Sequence, residues 1–427
     1  MMYSKWILIL NIIIWIITTY VLYSKRRHID SAVFLLITFT IYSLCSLLTY
    51  NFRYSDFNGV KLSILPLVYL YSMIILTMSP VLRFDIAKVK LFPNPPFTLL
   101  DVLSWAFVIC MIIKLPHDIT HIQEGMGKIM LDQGGDLYTE VMRESESSND
   151  AYSISSLSSI YVNITTEIII LIAFYNLYKR RKGILTLLLL ISIILTPLGS
   201  IANGQRGGAF DVIIVLLGTF FLFAPILHKN ILKKVKIVGI IVLACLLIPI
   251  VALTNSRFGS RIGSSEQSVF SYMGQQNLNF DIYAFDNDGL RYGDRVFPLF
   301  KKILGFKNVP NDFWERRIKY PNLKINDEVF IGYIGDFLLD FGVFVSTLLF
   351  FIFTFAFLRL TKIKNDKCYF QQLLMIQFVL VLGLQGGLKL YPFADTFSLK
   401  IFSFGLLYLY LRHSQLSQQS ILLSKKL

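Results

Sequence analysis

Apolar residues in this chain fall in long uninterrupted runs of about 18 to 22 positions, the length that crosses a bilayer core as a helix. Eleven such runs are predicted, at roughly 6–23, 31–49, 62–82, 97–115, 159–178, 183–202, 209–227, 237–254, 337–358, 368–387 and 397–411. Basic clusters punctuate alternate gaps: Lys25/Arg26/Arg27, Arg83/Lys88/Lys90, Lys179–Lys182, Lys229/Lys233/Lys234/Lys236, Arg359/Lys362/Lys364/Lys367 and Arg412/Lys425/Lys426. These six segments hold 21 basic residues and, as acids, only Asp30, Asp85 and Asp366. Positively charged gaps face the cytoplasm, which puts the N-terminus outside and the C-terminus inside and requires an odd number of spans. The expected fold is an all-α polytopic integral membrane protein, one membrane domain over 1–427, with about eleven transmembrane helices.

Composition agrees. Of 427 residues, 55% are hydrophobic and 16% charged, against about 25% charged in soluble chains, and the mean hydropathy is +0.60. A soluble enzyme, a DNA-binding protein and a secreted disulfide scaffold are excluded. The net charge of +14 would suit a nucleic-acid partner, but its alternation between gaps assigns it to topology instead. Cys45, Cys110, Cys245 and Cys368 lie in or beside apolar runs without CxxC spacing, so no disulfide, zinc site or redox role is expected. The first run, Trp6–Tyr23, ends on Lys25-Arg26-Arg27 with no small-residue cleavage site before it, so it is expected to be a span and not a signal peptide.

Every gap on the expected cytoplasmic side is short. None could fold a nucleotide-binding domain, since βαβ units need 30 or more residues each. The opposite side carries two long loops, 116–158 and 255–328, so the polar chemistry faces outward. The tail Ser414–Leu427 reads as an inner-leaflet anchor.

The 255–328 loop holds eleven basic residues against nine acidic ones, among them Arg257, Arg261, Arg291, Arg295, Arg316 and Arg317, interleaved with Tyr272, Tyr292, Trp314 and other aromatics. Guanidiniums bind phosphate oxygens bidentately, and aromatic faces suit the apolar faces of sugars. Any one of these charges could equally pair within a solvated loop; the cluster together points to an anionic ligand. Asn203-Gly204-Gln205-Arg206-Gly207-Gly208 occupies a short outer turn with Arg206 at the head of the next helix. A helix N-terminus beside a glycine turn favours an anion, and a snorkelling interfacial arginine, or one paired with Asp211, is the competing reading. Asp336 and Asp340 stand i, i+4 at the head of the ninth span, near Tyr333. They could orient a hydroxyl or act as base, or they could neutralise Arg206 or a loop arginine. Asp211 and Glu167, inside their spans, carry the same two readings.

The 116–158 loop has a net charge of −6. His117 and His121 are spaced i, i+4 with Asp118 and Glu124 nearby, but lack HExxH order and a third ligand. An amphipathic helix on the membrane is expected there, and no metal.

Taken together, the spans, the absence of a cytoplasmic domain, the two outer loops and Asn203–Gly208 resemble the Wzy-type oligosaccharide repeat unit polymerases, the O-antigen and capsule polymerases of bacteria. Arg257-Phe-Gly-Ser-Arg261 and Asp288-Gly-Leu-Arg291-Tyr-Gly-Asp-Arg295 belong to the same resemblance. One family pattern, an Arg followed eleven positions later by Gly, is not matched cleanly: Arg295 precedes Gly305 by ten positions and Arg206 precedes Gly218 by twelve. The resemblance implies glycosyl transfer at the outer face of the bacterial inner membrane. The growing glycan on polyprenyl diphosphate would be the donor, and a polyprenyl-diphosphate-linked oligosaccharide repeat the acceptor. No cofactor or metal is implied. Arg206, Arg257, Arg261, Arg291 and Arg295 would bind the diphosphate and stabilise its departure. Asp336 or Asp340 would serve as base or acceptor positioner, and Tyr272, Tyr292 and Trp314 as sugar platforms. Membrane lipids, a chain-length regulator and a flippase are the implied partners, with no nucleic acid.

Two rivals share parts of this pattern. Glycan ligases of the O-antigen ligase kind have the same topology and chemistry. A lipid-linked oligosaccharide flippase or other transporter would be expected to show internal repeats and charges within its spans.

Overall fold

The computed structural model describes residues 2–52, 55–130, 154–181, 183–202, 206–258, 265–285, 289–311, 313–322, 324, 329–387 and 396–424. Fourteen α-helices are found among them: α1 Met2–Arg26, α2 Ser31–Asn51, α3 Ile64–Arg83, α4 Phe97–Met130, α5 Ile154–Lys179, α6 Gly183–Ala202, α7 Arg206–Phe223, α8 Lys229–Phe258, α9 Ser265–Tyr283, α10 Pro298–Ile303, α11 Phe313–Lys319, α12 Gly332–Leu360, α13 Phe370–Gln385 and α14 Thr396–Ser424. No strand longer than an isolated bridge occurs among the described residues. Nine of the helices, α1 to α8 and α12, have segments long and apolar enough to cross a membrane, at the positions of the first nine apolar runs. The chain is a multi-pass helical membrane protein. α13, a 16-residue apolar helix, is about 24 Å long at 1.5 Å per residue, short of a 30 Å hydrocarbon core. α13 and α14 occupy the positions of the tenth and eleventh runs.

Local chemistry sets the helix ends. Asp30 caps α2, its carboxylate accepting from the backbone N–H of Ala32 (3.1 Å) and Val33 (3.0 Å). Arg26, at the end of α1, pairs with the same carboxylate, so one acid closes the α1–α2 turn from both sides.

The chain divides into two compact units. The first comprises Met1–Leu82, Val251–Ala356 and Leu380–Ser398; the second comprises Arg83–Ile250, Phe357–Val379 and Leu399–Leu427.

In the first unit the segment expected to be an outer loop, 255–328, contains helices α9, α10 and α11. α9 is polar along its length, yet it is packed on two faces. On one, Gly274 lies against α2, where a Cβ would collide with the backbone of Cys45 and Ser46. Ser46 donates to the Gly274 carbonyl (2.8 Å) and Asn277 donates to Ser46 (3.0 Å). Leu278 joins a core with Ile7, Leu8, Tyr50, Leu62 and Leu67. On the other face, Asn279 donates to the Phe330 carbonyl (3.1 Å), and Tyr283 packs on Ile331 and Leu339.

α12 is broken in the middle. Gly342 has φ +72°, a conformation that costs a residue with a Cβ but not glycine. Before the break, Gly332–Asp340 is buried throughout. After it, Phe344, Val345, Leu348, Phe351, Ile352 and Phe355 are exposed apolar side chains, as a lipid-facing helix requires.

In the second unit four helices close a ring of contacts. Phe174 of α5 stacks on Phe223 of α7 (6.1 Å), and Gln377 of α13 donates to Thr219 of α7 (2.7 Å). Phe378 of α13 meets Phe404 of α14 edge-on (5.3 Å). Lys400 of α14 completes the circuit through a buried ion pair with Glu167 of α5.

Candidate functional site

The break at Gly342 ends a helix in the protein interior, and the carbonyls of its last turn need donors. The loop 289–297 supplies them. The backbone N–H of Arg291 donates to the Leu339 carbonyl (3.2 Å), and that of Tyr292 to the Asp340 carbonyl (2.9 Å). Ser346, beyond the break, reaches back to the Phe337 carbonyl (2.8 Å). Tyr292 adopts a left-handed conformation, φ +51°, which turns its ring outward to solvent.

This docking brings together five of the residues singled out from sequence, Arg291, Tyr292, Arg295, Asp336 and Asp340. Asp340 accepts the backbone N–H of Arg295 at 3.1 and 3.2 Å and that of Val296 at 2.6 Å. The Arg295 side chain donates from Nε to Asp336 at 2.6 Å and from a terminal nitrogen to the Val329 carbonyl at 3.3 Å. Arg291, Arg295 and Asp340 are completely buried and Asp336 nearly so. Asp336 pairs with a loop arginine, one of the two roles considered for these carboxylates, whereas Asp340 anchors the loop backbone, a role that neither reading contained.

Asp294 is the centre of a second knot that sequence reasoning did not single out. Its buried carboxylate binds Lys301, Lys319 (2.6 Å) and the hydroxyl of Tyr320 (2.8 Å). Burial alone would raise the Asp294 pKa, but the bonds from Lys301, Lys319 and Tyr320 outweigh it and hold the carboxyl below its ordinary range. The same arrangement, with burial first, pushes the Tyr320 phenol up. Tyr320 also donates to the Arg291 carbonyl (3.0 Å), which ties α11 to the loop that caps α12. Four cations, Arg291, Arg295, Lys301 and Lys319, thus share this region with three carboxylates, Asp294, Asp336 and Asp340. Only the density of charge in 288–301 signalled this in the sequence; the partners of Asp294 lie 7 and 25 residues away.

Tyr272 is half-buried on α9, edge-on to Phe330 at 5.2 Å. Arg257 lies in the last turn of α8 and Trp314 in the first turn of α11, with side chains outside the described residues, and Arg261 is outside them altogether. Arg206 belongs to the second unit, where it is the first residue of α7 and buried. That unit also holds the Glu167–Lys400 pair, buried on both sides. The second carboxylate oxygen of Glu167 has no hydrogen-bond partner among the described residues. His121 lies in α4, and Asp118, on the same helix, pairs with Lys114 at 3.3 Å. The His117 side chain lies outside the described residues, and no metal-binding group that includes His121 is found among the described residues.

No protein-family model matches this sequence, and no curated protein or solved structure matches it either.

Proposed function

We propose that the chain is a membrane glycosyltransferase that polymerises polyprenyl-diphosphate-linked oligosaccharide repeat units at the outer face of a bacterial inner membrane, with the N-terminus outside. The observation that carries this reading is the pair of fully buried arginines, Arg291 and Arg295, on a loop hydrogen-bonded to the broken end of α12. Cations fixed where water is excluded act on a departing diphosphate far more strongly than cations in solvent, and they need no reorganisation when charge develops. In this reading Asp336 and Asp340 are positioning residues: Asp336 orients the Arg295 guanidinium and Asp340 fixes its backbone. Arg206, buried at the N-terminus of α7 in the second unit, is in this reading an anion-binding group of that unit. Tyr272, Tyr292 and Trp314 serve as sugar platforms.

The buried Glu167–Lys400 pair favours a second reading, transport of the lipid-linked oligosaccharide, because ionised groups inside spans mark transport paths in many carriers. One experiment separates the two. Purified chain in nanodiscs is given polyprenyl-diphosphate-linked repeat units without nucleotide, and products are read by gel and mass spectrometry. A ladder spaced by one repeat, with release of polyprenyl diphosphate, is expected. Transfer of a glycan to a different lipid acceptor without a ladder identifies a ligase. Movement of the substrate across a proteoliposome bilayer without lengthening identifies a transporter, and either outcome overturns the polymerase reading.

A further inference from the structure

Short helix α10 ends in an exposed apolar turn that a water-facing surface would not retain. The Gly305 N–H donates to the Lys302 carbonyl and the Phe306 N–H to the Lys301 carbonyl, both at 3.0 Å, the paired bonds of a Schellman cap. Lys301 also lies over the Phe306 ring, 5.7 Å from its centroid. The turn is therefore a built structure, and it holds Ile303, Leu304 and Phe306 outward at 62%, 74% and 59% exposure. Lys302 and Lys307 flank them and are exposed.

Its place in the fold says what covers it. The base of α10 is fastened to the broken span: Phe297 packs on Phe337 (5.6 Å), Phe341 (6.3 Å) and Phe300 (5.7 Å). Phe341 immediately precedes Gly342, after which α12 turns its phenylalanines to lipid. Six helical residues advance about 9 Å from Phe297, whose ring lies 6.3 Å from that of Phe341, so the Leu304 turn stands within about 15 Å of the residue that precedes the break. The headgroup zone on each side of a bilayer is about 5–8 Å deep. Apolar side chains flanked by lysines are the pattern of an interfacial anchor: the apolar groups enter the acyl boundary and the ammonium groups meet lipid phosphates.

We propose that Ile303, Leu304 and Phe306 form a membrane-dipping anchor that seats the loop 289–311 on the anionic headgroups of the bilayer crossed by α12. The occupant is the chain's own membrane, because the patch lies beside an existing lipid-facing surface and its flanking charges match lipid phosphate. This inference is independent of the glycosyltransferase reading.

The test uses full-length chain in nanodiscs, with Cys110 and Cys245 replaced by alanine and one spin-labelled cysteine introduced at Leu304→Cys, Phe306→Cys or, as control, Asn322→Cys. Collision with oxygen against a water-soluble nickel chelate reports depth. The labels at 304 and 306 are expected to favour oxygen, and the label at 322 to favour nickel. In discs containing anionic lipid, Lys302→Glu with Lys307→Glu is expected to shift the 304 label toward nickel; in neutral discs it is expected to leave the label unchanged. Nickel access at both 304 and 306 overturns the anchor, and so does exclusion of both reagents, which would mean that protein covers the turn. An equal shift in both kinds of disc overturns the role of lipid charge.

Discussion

Asp340 holds Arg295 by its backbone, while Asp336, one turn earlier on the same helix, holds it by its side chain. The two acids of a single helix face thus grip one loop residue twice. Removing Asp336 leaves a buried guanidinium without its carboxylate, a change that costs about 3–5 kcal/mol at comparable sites. Asp336→Ala is therefore expected to lower the thermal midpoint markedly. The double variant Asp336→Leu/Arg295→Met is expected to recover most of that loss while remaining inactive in polymerisation. Melting curves of Asp336→Ala and of the double variant, run beside the ladder assay, check both halves. Recovery of activity in the double would sink the functional assignment of Arg295.

Asp340→Ala removes three buried acceptor contacts at once and opens the loop from the helix break. About 1–3 kcal/mol is expected for loss of a charge-assisted backbone anchor of this kind. The effect should appear as faster proteolysis within 289–297 before global unfolding, read by limited digestion and mass spectrometry. An unchanged cleavage pattern would argue against the docking geometry.

Arg206 contributes from a different place, as the buried first residue of α7 in the second unit. Arg206→Ala and Arg206→Lys are expected to reduce polymerisation at least tenfold, measured per mole of folded, monodisperse protein. Lysine keeps the charge but not the bidentate fork, so a fully active Arg206→Lys alongside an inactive Arg206→Ala would reduce its role to charge alone. Full activity in both would end the diphosphate assignment.

Asp281 gives a prediction in pH. Its carboxylate accepts the Ser63 N–H at 2.9 Å, just before α3. Burial nevertheless pushes its pKa up to about 7, while the Ser63 bond pulls the other way, against an ordinary value near 4. The folded chain holds this proton more tightly than the unfolded chain. Its contribution is thus fully present at pH 4 and below, and is lost as pH rises to about 7. Asp281→Asn keeps an acceptor for Ser63 and has no charge to bury. The variant is expected to melt higher than the parent at pH 7.5 and nearly equally at pH 4.5. Equal midpoints at both pH values would show that Asp281 is solvated in the folded state.

Gly274 sets the closest approach between α9 and α2. A methyl group there meets backbone, which cannot rotate away, so Gly274→Ala is expected to cost more than the 1–3 kcal/mol of ordinary overpacking. The loss should appear as reduced monodisperse yield in detergent and a lower thermal midpoint. Wild-type behaviour would mean that α9 docks in another register.

How much of this was legible in the sequence depended on which force placed each element. The membrane-crossing helices answer to bilayer thickness, and their apolar runs therefore announced nine of them. α9 answers to tertiary contacts instead. Its Asn277, Asp281 and Asn279 side chains find partners on α2, on the residues preceding α3 and on the 329–332 segment, so Ser265–Tyr283 carries no apolar stripe to distinguish it from a loop. The pairing of Asp336 with a loop arginine was one of two readings the spacing allowed, and 41 residues separate it from Arg295. Asp294 could not have been chosen over eight other acids of the same segment, because its importance comes from burial. The break at Gly342 was equally silent: a glycine within an apolar run looks the same whether its φ is negative or positive.

The contact between α9 and α2 also sets an order of assembly. Ser46 donates to a carbonyl 228 residues further along the chain, so at 5–20 residues per second the ribosome needs roughly 10–50 s to deliver that partner. Throughout that interval α2 has already been synthesised, with the Ser46 hydroxyl on the face that Gly274 and Asn277 of α9 will cover. The nascent protein must shelter a polar seam until a helix too polar to enter lipid unaided arrives to fill it, which makes α9 a late-arriving keystone and its docking a natural checkpoint in biogenesis.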